Sequence, residues 1–299
     1  MQVSGFTIVR DAQRLDYPVV ESIRSLLPLV DEMIVLVGDS CDDTLNLIRK
    51  IGSPKLIIRE SVWDPAMRRG GEVLAHQTNL ALDLCQGEWC FYLQADEVVH
   101  ENDLDRISAA MKRHRGRKGI EGLSFRYHHF MGDYAIKNPL AYRKQVRVVR
   151  NGYGIRSVGD ACGFAREGRK LKTASSHGWV YHYGWVRPPQ QMGEKNIQLG
   201  IFYVEDQSGM TDEQTHRTRQ AELTAVATAS PWNYDLSACV PFRQSHPAVM
   251  AARIAAKDWQ SPPFHYVPWW RNKHFWGGMW QKNFASIHRA LASRSRKAA

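Results

Sequence analysis

The chain has 299 residues, of which 43% are hydrophobic and 23% are charged, and its formal net charge is +10. These values are typical of a globular protein with one large domain, or a domain with an extension. No apolar run approaches the ~20 residues that span a bilayer, and Met1 to Phe6 lack the features of a signal peptide. The five cysteines are scattered, which argues against a disulfide framework and against a zinc site. We therefore expect a cytoplasmic protein with reduced thiols.

Residues 3 to 114 alternate predicted strands with predicted helices. Apolar runs typical of strands cover residues 3–9, 33–37, 56–58 and 89–93, and helical spacing of apolar residues covers 19–27, 44–51, 72–85 and 101–114. This alternation predicts an α/β fold with a parallel sheet wrapped by helices.

The pattern changes after residue 114. Strand-like stretches at residues 122–130, 145–149 and 178–183 are expected to extend the sheet through antiparallel pairings. Helical patterns follow at residues 192–202 and 212–229, and the last seventy residues are rich in Pro and Trp. We expect a domain at residues 1–190 and a helical, aromatic-rich extension at residues 191–299.

Two acidic residues, Asp96 and Glu97, end the apolar run at residues 89–93. Open α/β sheets bind ligands at the carboxyl ends of their strands. Carboxylates there suit Mg²⁺ or Mn²⁺ holding a diphosphate. The alternative is that Asp96 only caps the helix that follows.

Three further side chains are candidates for the same edge of the sheet. Asp39 follows the second strand and could contact a nucleotide, whereas its neighbour Asp42 is better placed to cap the helix near Thr44. His182 ends a strand, where an imidazole is either a metal ligand or, more commonly, a core residue. Asp160 lies in a small-residue loop, as a general base or as a turn-forming residue.

Together these segments resemble a known family over about residues 3–190, the family 2 glycosyltransferases with the GT-A fold. The motifs that carry the resemblance are Gly5-Phe6-Thr7-Ile8-Val9-Arg10, Val37-Gly38-Asp39-Ser40-Cys41-Asp42-Asp43-Thr44, Gln77-Thr78-Asn79-Leu80-Ala81-Leu82, Gln86-Gly87-Glu88-Trp89 and Leu93-Gln94-Ala95-Asp96-Glu97. The resemblance implies a Rossmann-like mixed sheet flanked by helices.

The resemblance also implies roles for individual residues. The nucleotide-sugar would be bordered by Ile8, Arg10, Asp39, Gln94, Ala95 and Asp96, the metal (Mn²⁺ or Mg²⁺) would bind Asp96 and His182, and Asp160 would be the catalytic base of an inverting reaction. Three positions depart from the family pattern. Gln94, Gly38 and Gly159 stand where acidic residues are usual, and the neutral amide of Gln94 is a weaker metal ligand than a carboxylate.

The expected function is transfer of a sugar from a nucleotide-sugar donor to a hydroxyl of a glycan or lipid-linked acceptor. The resemblance places this reaction in surface-glycan synthesis. Trp and basic residues after about Asn233 fit peripheral contact with the inner face of a membrane. A sugar-stacking platform or a folded-back core fits them equally well.

Two other functions are compatible with parts of the sequence. A sugar nucleotidyltransferase needs a glycine-rich loop after the first strand, whereas residues 10–14 contain no glycine. A non-catalytic binder of polyanions or nucleic acid is suggested by the net charge, which gathers at residues 112–118, 166–172 and 289–297. These clusters are dispersed and more commonly form solvated faces, and we expect no nucleic-acid partner.

Overall fold

The computed structural model describes residues 1–67, 69–202, 221, 224–225 and 235–272. The α-helices are α1 (Val19–Leu26), α2 (Thr44–Arg49), α3 (Glu72–Asp83), α4 (Leu104–His114), α5 (Pro189–Ile201) and α6 (Ala251–Ala255). The strands are β1 (Val3–Val9), β2 (Glu32–Val37), β3 (Leu56–Glu60), β4 (Trp89–Tyr92), β5 (Glu97–Val99), β6 (Gly122–Met131), β7 (Asp133–Lys137), β8 (Lys144–Arg150), β9 (Ile155–Val158), β10 (Gly163–Arg166), β11 (Arg169–Lys170), β12 (Thr173–Trp185) and β13 (Val240–Pro241). Short 3₁₀ helices cover Arg69–Gly71, Glu101–Asp103, Ala248–Met250 and Trp269–Arg271.

The first part of the sheet is parallel, in the order β3-β2-β1-β4. All seven residues of β1 are buried, because helices cover both faces of these strands. Ile23 of α1 and Ile107 of α4 pack in one core cluster, and Val73 and Leu82 of α3 pack in the other. The predicted α/β class, a mixed sheet flanked by helices, is confirmed.

The second part of the sheet is built from the strands after α4. β8 lies antiparallel between β4 and β6, and β12 runs parallel to β6. β12 also pairs antiparallel with the short strand β5, which places His182 opposite Glu97. The sequence did not predict β5, β7 or the small antiparallel sheet of β9, β10 and β11. The β5 pairing positions the site, because it brings the end of β12 to the acidic turn after β4.

Several details differ from the sequence-based expectations. The stretch predicted as one helix at residues 101–114 begins with a 3₁₀ turn, and β5 precedes it. The alternative role of Asp96 as a helix cap is therefore wrong; His100 accepts the capping hydrogen bond from Asn102 N. The predicted helix at 212–229 falls outside the described residues except at 221 and 224–225, as does the chain beyond residue 272.

All five cysteines are free thiols, as expected. Among the described residues, no helix is both long enough and apolar enough to cross a membrane.

Candidate active-site cleft

A cleft with a volume of about 470 Å³ opens at the carboxyl ends of β1 and β4. The end of β12 and the helix α5 form its other side. Seven of the side chains predicted for the site line this one cleft: Ile8, Arg10, Gln94, Ala95, Asp96, Asp160 and His182. Asp39 does not line it, but its Oδ2 pairs with Arg10 Nη2 at 3.3 Å at the cleft edge. The fold thus brings residues from Ile8 to His182, which are 174 positions apart in the sequence, into one cleft.

The two acidic residues of the turn after β4 have different surroundings. Glu97 is fully buried and its carboxylate accepts hydrogen bonds from Arg147 Nε at 2.7 Å, Arg147 Nη2 at 2.8 Å and Tyr127 Oη at 2.9 Å. This carboxylate is therefore not available to a metal. Asp96 lines the cleft, and its backbone oxygen accepts a hydrogen bond from Tyr183 N at 2.9 Å.

His182 presents one ring nitrogen to Asp96. Its Nε2 lies 3.7 Å from Asp96 Oδ1, and its Nδ1 lies 3.2 Å from Nδ1 of His129. His129 Nε2 lies 3.1 Å from the backbone oxygen of Tyr142, which only accepts, so the ring donates there. In a neutral His129, Nδ1 then accepts from His182 Nδ1, and His182 Nε2 keeps its lone pair.

Asp96 and His182 thus turn two acceptor atoms toward each other, an arrangement that a cation between them would stabilise. Burial keeps both histidines neutral: it lowers the pKa of His182, and it lowers the pKa of His129 to about 2. Gly184 leaves the space beside them open. A Cβ at this position would lie 2.6 Å from Asp96 Oδ2 and 2.8 Å from His182 Nε2.

Lys195 of α5 reaches the same carboxylate from the other side. Its Nζ lies 3.7 Å from Asp96 Oδ2, donates a hydrogen bond to the backbone oxygen of Gly184, and lies 4.8 Å from the Trp185 ring centroid. Arg187 is fully buried behind it and donates to the same Gly184 oxygen at 3.0 Å. Neither cation was predicted as a site residue from the sequence.

The charges of these groups shift each other's pKa values. Burial alone would raise the pKa of Asp96, but its electrostatic interactions with His182, Lys195 and Arg187 outweigh burial and lower it. Burial, together with the like charge of Arg187, lowers the pKa of Lys195 to about 7. Among the described residues, no group of three or more His, Cys, Asp or Glu side chains is arranged to hold a metal ion.

The cleft continues past Arg10 into a second cavity of about 440 Å³. Arg10 and Trp63 line both cavities, and the Arg10 guanidinium lies 5.8 Å from the Trp63 ring centroid. Asp39 Oδ1 accepts a hydrogen bond from Trp63 N at 3.1 Å. Gly38 precedes Asp39, and the Trp63 indole occupies the space that a Cβ at position 38 would need. Trp63 is a cleft residue that the sequence analysis did not single out.

The remaining candidates lie as follows. Asp42 Oδ1 accepts a hydrogen bond from Thr44 N, the first residue of α2, at 3.0 Å. The N-cap residue of this helix is Asp43 rather than the predicted Asp42, and it makes no side-chain capping hydrogen bond. Asp160 lies in the turn between β9 and β10, where its Oδ1 accepts from Cys162 N at 3.2 Å. The residue therefore forms the predicted turn while also lining the cleft.

Aromatic side chains cover much of the cleft wall. They come from separate elements and include Tyr17, Trp63, Tyr92, Tyr142, Trp185 and Phe202. A concave, mostly apolar wall with a few convergent polar groups is typical of sites that bind small molecules.

Comparison with known proteins gives the following similarities. No protein-family model matches the chain, and no curated protein matches it. Among solved structures, S. aureus TarS is similar over 75% of this chain and 43% of its own, with 15% identity and a TM-score of 0.38. Its 1-349 form in complex with UDP-GlcNAc is similar over 78% of this chain and 74% of its own, with 14% identity and a TM-score of 0.38.

A third similar structure is glucosyl-3-phosphoglycerate synthase from Mycobacterium tuberculosis in complex with Mn²⁺, UDP and phosphoglyceric acid. The similarity covers 43% of this chain and 43% of that one, with 20% identity and a TM-score of 0.29. All three similarities have sequence identities of 20% or less and TM-scores below 0.5.

Proposed function

We propose that this protein is a glycosyltransferase that moves a sugar from a nucleotide-sugar donor to an acceptor hydroxyl. One observation carries the proposal: six of the seven residues that the family resemblance assigns to donor and metal line a single cleft, and the seventh, Asp39, pairs with Arg10 at the cleft edge. They meet at the carboxyl ends of β1 and β4, which is where open α/β sheets bind nucleotides.

The two adjoining cavities suggest how the donor lies. The nucleotide occupies the side of Arg10, Asp39 and Trp63, where an indole and a charged pair are available for a base and a ribose. The diphosphate then faces Asp96, and the sugar reaches the aromatic wall of the larger cavity.

A divalent cation fits between Asp96 and His182. Ligand atoms about 2.1 Å from one cation are separated by at most roughly 4 Å, and these two lie 3.7 Å apart. The lone pair on His182 Nε2 and the space left by Gly184 agree with this assignment. Gln94 lines the same cleft as a neutral oxygen donor. Bound there, Mn²⁺ or Mg²⁺ would neutralise charge on the departing nucleoside diphosphate.

The acceptor step is assigned to Asp160. Its carboxylate takes the proton from the acceptor hydroxyl as the hydroxyl oxygen attacks the anomeric carbon. The bond from that carbon to the diphosphate oxygen breaks on the opposite face, so the configuration inverts. We further infer a glycan or lipid-linked acceptor, presented in surface-glycan synthesis at the inner face of a membrane.

The donor is identified first, by a thermal-shift screen of UDP-sugars and GDP-sugars with and without Mn²⁺, since ligand binding raises the melting temperature.

With that donor, we expect Asp96→Asn to lower turnover roughly a hundredfold or more, because the site loses the charge that organises its cations. Asp105→Asn is the matched control, because this exposed aspartate of α4 lies outside the cleft. Its turnover should stay within about twofold of wild type. Wild-type turnover by Asp96→Asn would contradict the site assignment.

A further inference from the structure

Lys195 is a buried lysine whose charge is only partly satisfied by its neighbours. The side chain is 5% exposed and lines the cleft. An ammonium group has three N–H donors. One binds the Gly184 oxygen and another points to Asp96, whose Oδ2 is 3.7 Å away. No other described residue accepts a hydrogen bond from Lys195 Nζ, which leaves one donor for a molecule in the cleft.

The charges around Lys195 do not balance. Asp96 supplies one negative charge, whereas Lys195 and Arg187 supply two positive charges. Arg187 donates to the backbone oxygens of Leu15 and Gly184, and it takes part in no ion pair between described residues. Glu97 is neutralised by Arg147.

When Lys195 is protonated, the group of Lys195, Arg187 and Asp96 thus carries one excess positive charge in a buried setting. Burying an uncompensated charge is costly, and an anionic ligand would offset this cost. The Gly184 oxygen fixes the position of this charge, since it accepts hydrogen bonds from both cations.

We propose that Lys195 binds the diphosphate of the nucleotide-sugar donor directly, so that a nucleoside diphosphate binds this cleft without a divalent cation. This inference rests on the proposed function. A lysine ammonium is a compact point charge that suits phosphate oxygens. Lys195 lies beside Asp96, the carboxylate that the family motif assigns to the diphosphate. Position 94 in the same cleft is a neutral glutamine where the motif usually has an acidic residue, so one negative charge fewer opposes the diphosphate.

The proposal is tested by calorimetric titration of UDP, GDP, uridine and guanosine into the full chain in EDTA. Wild type should bind the matching nucleoside diphosphate at least tenfold more tightly than the nucleoside. Lys195→Met should weaken nucleoside diphosphate binding roughly tenfold to a hundredfold, because it removes a charged hydrogen bond. Nucleoside affinity should stay within about twofold. Inorganic phosphate is titrated in parallel, and binding as tight as that of the diphosphate would overturn the assignment to the donor.

Lys55→Met is the matched control. Lys55 Nζ also donates to backbone oxygens, of Leu27 and Val30 at 2.7 Å each, but it lies outside the cleft. Lys195→Arg, which keeps the charge, should retain most of the diphosphate affinity. If Lys195→Met does not fold, the wild-type affinities for nucleoside diphosphate and nucleoside in EDTA still test the proposal.

The outcomes separate the two proposals. Binding of the nucleoside diphosphate by wild type only when Mn²⁺ is present, with Lys195→Met unchanged, overturns the role of Lys195 and leaves the proposed function standing. No binding of any nucleotide or nucleotide-sugar, with or without Mn²⁺, overturns the proposed function and this inference with it.

Discussion

Gly184 shows how a residue without a side chain can decide the geometry of a site. The space that a Cβ would occupy borders both Asp96 Oδ2 and His182 Nε2, while its backbone oxygen binds Lys195 and Arg187. Gly184 therefore leaves room for Asp96 Oδ2 and His182 Nε2 to lie close together, and its backbone oxygen binds the side chains of Lys195 and Arg187. Glycine is common where other groups must approach a backbone closely.

We expect Gly184→Ala to damage the site more than the fold. The added methyl would lie within 3 Å of Asp96 Oδ2 and His182 Nε2, so these side chains must move apart. Nucleoside diphosphate affinity, measured by calorimetry, should fall at least roughly tenfold. The melting temperature should drop by only a few degrees, since side-chain ends rather than backbone yield.

Gly163→Ala is the control for this change. Gly163 also lies in a strand, and a Cβ there would meet nothing closer than Gln145 Oε1 at 3.9 Å. Its binding should match wild type. Equal affinities in all three proteins would show that the Asp96–His182 geometry does not control binding.

Only some site residues could be predicted from the sequence. Asp96, Arg10 and Asp39 each follow an apolar run that predicts a strand. Their positions at the sheet edge can therefore be predicted from the neighbouring residues alone. Lys195 has no such signal, because it is a charged residue in a helix and its burial depends on contacts with Gly184 and Asp96. Trp63 lies in a loop whose packing against Gly38 is likewise a tertiary effect.

At the level of elements, the turn after β4 is fixed by a buried ion pair. Glu97, the first residue of β5, binds Arg147 of β8 through two hydrogen bonds, and both side chains are fully buried. The same carboxylate accepts from Gln94 N at 3.1 Å. Asp96 thus faces the cleft because its neighbour is held on the opposite side.

Glu97→Gln should lower the free energy of unfolding by about 3–5 kcal/mol, because Arg147 would be left buried without a counter-charge. Urea denaturation measures this change. Asp83→Asn provides the contrast, since its ion pair with Arg156 is more than half exposed on both sides and should contribute under about 1 kcal/mol. Similar losses in the two variants would mean that burial does not decide the strength of these pairs.

The parallel strands and their helices were predictable, because β1, β2 and β4 read as continuous apolar runs between helical patterns. β5 could not be predicted, because three residues are too few to show the alternation of a strand and because its pairing with β12 is a long-range contact. The 13-residue β12 was predicted only in part, because two irregularities interrupt its pairing with β6.

Across the whole molecule, stability should depend on pH through buried histidines. His128 of β6 stacks on Trp179 with ring centroids 4.2 Å apart, and burial lowers its pKa to about 3, with Lys137 adding a like charge. The unfolded chain has an ordinary histidine pKa near 6.5 and takes up protons first as the pH falls. Stability is therefore full above about pH 6.5 and declines below it.

Between pH 6.5 and pH 5, His128 alone should cost about 2 kcal/mol of unfolding free energy. Urea denaturation at both pH values measures the loss, which should be smaller in His128→Phe, where the aromatic contact is kept and the titrating group is gone. His76→Gln, at an exposed position of α3, should behave as wild type. The same pH dependence in all three proteins would exclude His128 as the source.

The bond from Arg187 to the Leu15 oxygen joins positions 172 residues apart in the chain. Such a contact forms only after the intervening segments are ordered, since closing a long loop is entropically costly. During synthesis, the turn that carries Asp96 is made well before the helix that carries Lys195. Binding of the proposed nucleotide donor should therefore appear only after α5 has packed against the segment that carries Leu15 and Asp96.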